Sequence, residues 1–331
     1  MRKMINVTNI SKTYRVKEVK TTKSYFTSIF NKSALKDVHA IDDISFSIDK
    51  GETVGFIGNN GAGKSTTIKM LTGILYPTKG SIEVFGKNPF KHRIENNYKI
   101  AAVFGQRCQL RWDISPFESY KLLRSIYKIN KSDFNERLEK FIDILSLKDF
   151  LYKPVRTLSL GQKMRAELSA AFLHDPEIVY LDEPTIGLDI FSKDAILNFI
   201  KEENQNKDKL IMLTTHDLAD IKEVCGRIMI IDQGKLLYDM KMEELKNFVS
   251  ITNDIEVITE EKPPFIPVSI TRFVHKTDGH KITFLAVKEE DVALIVNQIV
   301  KCNKIINIKI ESGDFKKSIK ALYNLSDKGV R

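Results

Sequence analysis

The spacing of apolar residues changes repeatedly along the first 240 positions. In "AIDDISFSIDKGETVGFIG", Ile44, Phe46 and Ile48 alternate with polar residues, Asp49-Lys50-Gly51 supplies a turn, and Val54 to Ile57 form an unbroken apolar run. Alternation predicts a half-buried strand and the run predicts a buried one that leads straight into glycines. Apolar runs before Asp182 ("IVYL") and before His216 ("LIMLTT") predict buried parallel strands that end in polar residues. Helical patterns lie between them. Residues 1–240 are thus expected to form an α/β domain with its chemistry at the carboxyl edge of the sheet. Further on, Ser159 and Gln162 have the spacing of a capping box, opening a helix whose expected stripe is Leu160, Met164, Leu168 and Phe172. Residues 241–331 read as a separate small α+β domain. Its expected elements are strands near 254–259, a hairpin over 269–287 turning at Asp278-Gly279, a helix with Val292, Ile295, Ile299 and Cys302 on one face, strand 305–310 and a last helix.

Composition narrows the function classes. A length of 331 residues suits two domains. The net charge of +9 is concentrated at the start: residues 1–36 hold nine Lys/Arg against one acid, and the rest of the chain is nearly balanced. A nucleic-acid binder spreads basic residues over a domain face, so no nucleic-acid partner is expected and the skew points to local docking or a membrane surface. Cys108, Cys225 and Cys302 form no CxxC pair, which disfavours a disulfide framework or a zinc knuckle and fits a reduced compartment. The longest apolar runs fall far short of the roughly 20 residues that span a bilayer, so the chain is not expected to cross a membrane itself.

The strongest chemical motif is Gly58-Asn59-Asn60-Gly61-Ala62-Gly63-Lys64-Ser65, which matches GxxxxGK[ST] between a predicted strand and the helix that continues through Thr66. Small residues let backbone N–H groups wrap phosphates, Lys64 supplies positive charge, and Ser65 can ligate magnesium. Asp182 is expected to reach the magnesium shell from the end of its strand. Glu183, the next residue, would point to the opposite face if the extended geometry continues, and could polarise an attacking water. At the start of the capped helix, Ser159 and the N–H groups of Gly161 and Gln162 form a second candidate phosphate site.

The P-loop, "VFGQ" with Gln106, "LSLGQ" at 158–162, "IVYLDEP" at 178–184, "GLD" at 187–189 and "TTHD" with His216 occur in one order and spacing. On these motifs residues 1–240 resemble the ATP-binding cassette of ABC transporters. The resemblance implies a P-loop NTPase fold with a RecA-like core, an antiparallel β-subdomain and a helical subdomain. It implies an ATPase using ATP and magnesium, on the cytoplasmic face of the membrane, energising a separate multi-span permease. It also implies a head-to-tail dimer with a second copy, or with a paralogous cassette, in which the signature segment of one chain meets ATP on the P-loop of the other. Tyr14 resembles the adenine-stacking aromatic, Gln106 the residue that reaches magnesium and couples to the permease, Asp189 the residue that bridges the copies, and His216 the γ-phosphate sensor.

Finer features resemble the type-two exporter branch, close to drug or multidrug exporters: "VFGQRCQLRWDISPFESYKLL", LSLGQ and "LDEPTIGLDI". The signature usually reads LSGGQ. Leu160 stands in place of a glycine, and its side chain is expected to turn inward on the apolar stripe, which puts the turnover rate in question. Trp112 falls where such cassettes meet a permease, with core packing as the alternative. Residues 17–36 form an insertion in which Tyr25, Phe26, Ile29 and Phe30 would share a helical face flanked by Lys20, Lys23, Lys32 and Lys36; it reads as a lipid- or partner-touching segment or a surface hairpin. The alternative function is a soluble cassette acting on ribosomes or DNA, disfavoured by the single cassette, the short helical region between Gln106 and Ser159, and the neutral core.

Overall fold

The computed structural model describes residues 3–17, 35–105, 108–205, 208–215, 217–250 and 252–312. Residues 18–34, Gln106, His216 and the expected last helix lie outside them. The chain divides into two compact units, Met1–Asp239 and Met240–Arg331.

The first unit opens with the long strands β1 (Lys3–Lys17) and β2 (Leu35–Asp49), followed by β3 (Thr53–Ile57), α1 (Lys64–Leu71), β4 (Lys79–Val84), α2 (Arg93–Asn97) and β5 (Ile100–Phe104). Helices α3 (Pro116–Ile126), α4 (Lys131–Ile144) and α5 (Leu160–Phe172) come next, then β6 (Ile178–Asp182), α6 (Ile190–Glu203), β7 (Leu210–Thr214), α7 (Leu218–Val224), β8 (Arg227–Asp232) and β9 (Lys235–Lys241). One sheet has the order β5-β6-β7-β3-β8-β9, and its pairs β5·β6, β6·β7, β3·β7 and β3·β8 are parallel. The apolar runs behave as buried parallel strands should: every residue of β6 and β7 is buried. A second sheet, β2-β1-β4, is antiparallel, and the β1–β2 ladder continues to the pair Lys17↔Leu35 at the edge of the described residues.

Because β3, β6 and β7 are parallel, their carboxyl ends emerge on one edge. There the P-loop leaves β3, Asp182 closes β6 and Thr214 closes β7. This is the edge at which open α/β sheets place ligands.

The second unit contains α8 (Met242–Ser250), β10 (Thr252–Thr259), β11 (Val274–Asp278), β12 (Lys281–Lys288), α9 (Glu289–Cys302) and β13 (Ile305–Ser312). Its antiparallel sheet has the order β11-β12-β10-β13. A core of its own joins Ile255, Val257, Ile282 and Phe284 of the sheet to Ile295 and Ile299 of α9. Two local expectations are corrected. Residues Val268–Phe273 form a 3₁₀ helix instead of the start of a hairpin strand, with Ile270 packed into the core. Cys302 is exposed, because it sits at the last turn of α9, beyond the reach of the face that Ile295 and Ile299 bury.

Candidate functional site

The P-loop is shaped by its glycines. Gly63 has φ +112°, and a Cβ there would lie 2.7 Å from the Ala40 carbonyl oxygen and 2.5 Å from Ile41, so both conformation and space require glycine. The loop is tied back on itself, with the Ala62 N–H donating to the Asn59 carbonyl at 3.0 Å. Asn59 also donates its side-chain amide to Asp232 at 3.3 Å. Gly61 and Asn60 are exposed at the tip, while Thr66 is half-buried beside Ser65 in the first turn of α1.

Lys64 is 6% exposed and folds over the loop, its Nζ donating to the carbonyls of Gly58 at 2.7 Å and Asn59 at 3.2 Å. Burial holds its pKa below the ordinary lysine value, opposed by the nearby carboxylates of Glu183 and Asp182. The Glu183 carboxylate lies 4.0 Å from Nζ. Ser65 Oγ donates to Asp182 Oδ2 at 2.7 Å, and Thr214 Oγ1 donates to Asp182 Oδ1 at 2.5 Å. Lys64 and Ser65 of α1, Asp182 at the end of β6 and Glu183 just after it are therefore one cluster, and Thr214 of β7 completes it. Nothing in the motif reading pointed to Thr214; its place at the end of an apolar run, level with Asp182, was the available signal.

Glu183 does not continue the extended strand as expected. Its φ is +54°, and its N–H donates to the Thr214 carbonyl at 2.9 Å and to Thr214 Oγ1 at 3.2 Å. The backbone turns there, and the turn, not strand alternation, swings the carboxylate toward Lys64.

Helix α5 begins with a capping box: Ser159 Oγ accepts from the Gln162 N–H at 3.2 Å and Gln162 Oε1 accepts from the Ser159 N–H at 3.0 Å. Because Oγ is the acceptor in that bond, the hydroxyl proton of exposed Ser159 stays available to an outside acceptor. Gly161 is buried against the start of α6, where a Cβ would stand 2.3 Å from Ser192 Oγ and 3.2 Å from Asp189 Oδ2. Asp189 caps α6, accepting from the Ser192 N–H at 2.9 Å and the Ser192 hydroxyl at 2.7 Å, and these bonds hold its carboxyl below the usual range. Ser159, Gly161, Gln162 and Asp189 form a second cluster, whose side-chain hydrogen bonds, Ser159 with Gln162 and Asp189 with Ser192, do not reach the P-loop of the same chain.

Leu160 is 44% exposed, which corrects the inward orientation expected of it. The buried stripe of α5 runs through Gly161, Met164, Leu168 and Phe172 instead. Trp112 is 57% exposed, with the Lys163 ammonium 5.1 Å above its ring, so it is not a core residue. Tyr14 is half-buried in β1 beside the Lys12 ammonium, 5.4 Å from the ring centroid, and belongs to neither cluster.

A cavity of about 950 Å³ opens from Ser65 and Asp182 past Gly105, Gln109 and Leu110 to Leu122 and Ile126 of α3. Among the described residues, no group of three or more His, Cys, Asp or Glu could hold a metal ion by protein ligands alone. No helix among them is long and apolar enough to cross a membrane.

A family model described as "ABC transporter" matches residues 41–186, which span the P-loop, the α5 signature and Asp182-Glu183. The chain is 31% identical over 210 residues to the ABC transporter ATP-binding protein NatA of Bacillus subtilis, covering 63% of this chain and 85% of that one. The chain belongs to the ABC transporter ATP-binding proteins. It is also 32% identical over 207 residues to the bacitracin transport ATP-binding protein BcrA of Bacillus licheniformis (62% of this chain, 66% of that one). The methionine import ATP-binding protein MetN 2 of Bacillus licheniformis is 28% identical over 313 residues (90% and 84%). A solved structure described as the ATP-binding subunit of an ABC transporter superposes with TM-score 0.61 at 25% identity, covering 74% of this chain and 92% of that one. This cassette is accordingly an ATP-binding and ATP-hydrolysing subunit that energises a membrane permease, and it uses ATP with magnesium. Family membership reaches cassettes named for import as well as for other transport, so it leaves the branch open.

Proposed function

We propose that the cassette works as a head-to-tail pair on the cytoplasmic face of a membrane, each ATP held between the P-loop of one copy and the Ser159 cluster of the other. The observation that carries this reading is the separation of the two phosphate-binding clusters: Ser159 is exposed, its hydroxyl proton is available, and its cap contacts stay within α5. A helix N-terminus of this kind suits an anion brought by a partner.

Within each site the residues present fit a magnesium–nucleotide complex. Ser65 Oγ and the Asp182 carboxylate, 2.7 Å apart, are oxygen donors suited to magnesium, which takes few protein ligands and completes its shell with phosphate oxygens and water. When bound, magnesium neutralises phosphate charge. Lys64 and the loop N–H groups hold the phosphates, Glu183 accepts a proton from the attacking water and orients it, and Thr214 fixes both Asp182 and the Glu183 backbone. Tyr14 stacks on adenine, Asp189 braces the start of the signature helix, Gln106 reaches magnesium and couples to the permease, and His216 senses the γ-phosphate; Gln106 and His216 lie outside the described residues.

The permease engages the cavity between Gly105 and α3, with exposed Trp112 nearby, and the direction of transport is export. The type-two motifs quoted above support that direction. Residues 241–331 are an accessory domain that regulates or steadies the pair.

Mixed dimers test the pairing. One copy carries Lys64→Ala and the other Ser159→Arg, so that in a head-to-tail pair both defects fall in one site and the second site is intact. Such dimers should hydrolyse ATP, while either homodimer should be nearly inactive. Inactive mixed dimers in which a nucleotide analogue crosslinks to Ser159 of its own chain would overturn the arrangement.

A further inference from the structure

Glu167 lies midway along α5, where a helical glutamate ordinarily faces water, yet it is only 4% exposed. Its carboxylate points at the loop that leaves β5. The N–H groups of Gln109 and Leu110 both donate to Glu167 Oε1, the latter at 2.9 Å, and the Cys108 thiol beside them donates to the Leu110 carbonyl at 3.9 Å. Burial raises the pKa of the carboxyl, and the two amide bonds oppose the rise. A buried carboxylate is costly unless its acceptors are used, and here they are used on backbone that has no strand or helix to satisfy it.

The described parts of this loop are held at both ends. At its start Phe104 pairs with Asp182, and the Gly105 N–H donates to the Asp182 carbonyl at 2.8 Å. On its return Gln109 Nε2 donates to the Ala102 carbonyl at 2.8 Å, and Glu167 holds the two following amides. Gly105, Gln109, Leu110 and Glu167 line the same cavity as Ser65 and Asp182. Gly105, Gln109 and Leu110 thus form part of one wall of the space beside the candidate phosphate cluster, and Glu167 anchors Gln109 and Leu110 to the helix that begins at Ser159.

We infer that Glu167 is a positioning residue for ATP hydrolysis: by accepting from the Gln109 and Leu110 amides it fixes these two residues on the cavity wall they share with Ser65 and Asp182, and so sets turnover without setting nucleotide affinity. Among the described residues no hydrogen bond joins Glu167 to Lys64 or the P-loop, the groups proposed to grip the phosphates. The inference rests on the ATPase activity of the family and not on the head-to-tail pairing.

Two near-isosteric variants separate the hydrogen bonds from charge and bulk. Glu167→Gln keeps an oxygen where Oε1 stands; Glu167→Met keeps the volume and removes the acceptor. For Glu167→Met we expect kcat roughly ten- to a hundredfold lower, the range in which small misplacements near a reacting centre act. ATP affinity should stay within about threefold of the parent, the signature of an interaction felt in the transition state alone. Amide hydrogen exchange at Gln109 and Leu110 should speed up in the same variant. Glu167→Gln should restore turnover and protection. A folded Glu167→Met with parental kcat, affinity that falls in step with kcat, or Glu167→Gln as impaired as Glu167→Met would each overturn the inference. If Glu167→Met is not recovered folded, Glu167→Asp, which withdraws the acceptor by one methylene, takes its place in the same comparison.

Discussion

Glu183, the base proposed for hydrolysis, is a strained residue. A φ of +54° is uncommon outside glycine and costs on the order of 1–3 kcal/mol where the surroundings enforce it. Two bonds to Thr214 enforce it here, and the return is a carboxylate brought to within 4.0 Å of the Lys64 ammonium. Glu183→Gln keeps the backbone bonds and the side-chain volume but cannot take a proton. ATP binding should survive, because Lys64, Ser65 and Asp182 are untouched. Hydrolysis should fall by roughly 10²–10⁴, the usual weight of general-base catalysis. Radiolabelled-nucleotide binding and phosphate-release assays on the same preparation measure both, and near-normal turnover would reject Glu183 as the base.

At the scale of elements, the junction of α5 and α6 is fixed by contact between two helix starts. Gly161 is the contact point, since a Cβ would meet Ser192 Oγ at 2.3 Å. Gly161→Ala should push the two helices apart or rotate Ser192 off its bond to Asp189, costing about 1–3 kcal/mol as overpacking does. Thermal unfolding should show the loss, and Ser192→Gly in the same chain should recover most of it; no recovery would place the effect elsewhere. The same junction shows what a sequence can and cannot carry. The P-loop, the capping box and the runs ending at Asp182 and Thr214 were legible because each is a local pattern with one physical meaning. The apolar pattern places Leu160 in the buried stripe because leucine carries a hydrophobic signal and glycine carries none, although the stripe passes through Gly161. Strand alternation points Glu183 the wrong way because the strand ends at Asp182, one residue earlier than the pattern can tell. Glu167 gave no signal, since its partners are backbone amides 57 and 58 residues away.

At the scale of the whole molecule, the two units have separate apolar cores. The core around β3 and β6 runs from Met4 to Leu236, that of the second unit draws on residues 255 to 308, and the two clusters share no residue. The described members of both candidate phosphate clusters lie in the first unit, from Gly58 to Thr214. A unit with its own core and the whole described P-loop cluster within it should fold and bind ATP alone. A chain truncated at about residue 240 should therefore bind ATP with affinity within about threefold of the full chain, a change under 1 kcal/mol by the usual affinity arithmetic. Cooperative unfolding of the truncated protein is the control that it has folded, and fluorescent-nucleotide titration of both forms supplies the comparison. What truncation should change is the assembly of the pair or the dependence of turnover on protein concentration, because residues 241–331 carry none of the nucleotide motifs. A folded, truncated protein that fails to bind ATP would show instead that the second unit completes the site.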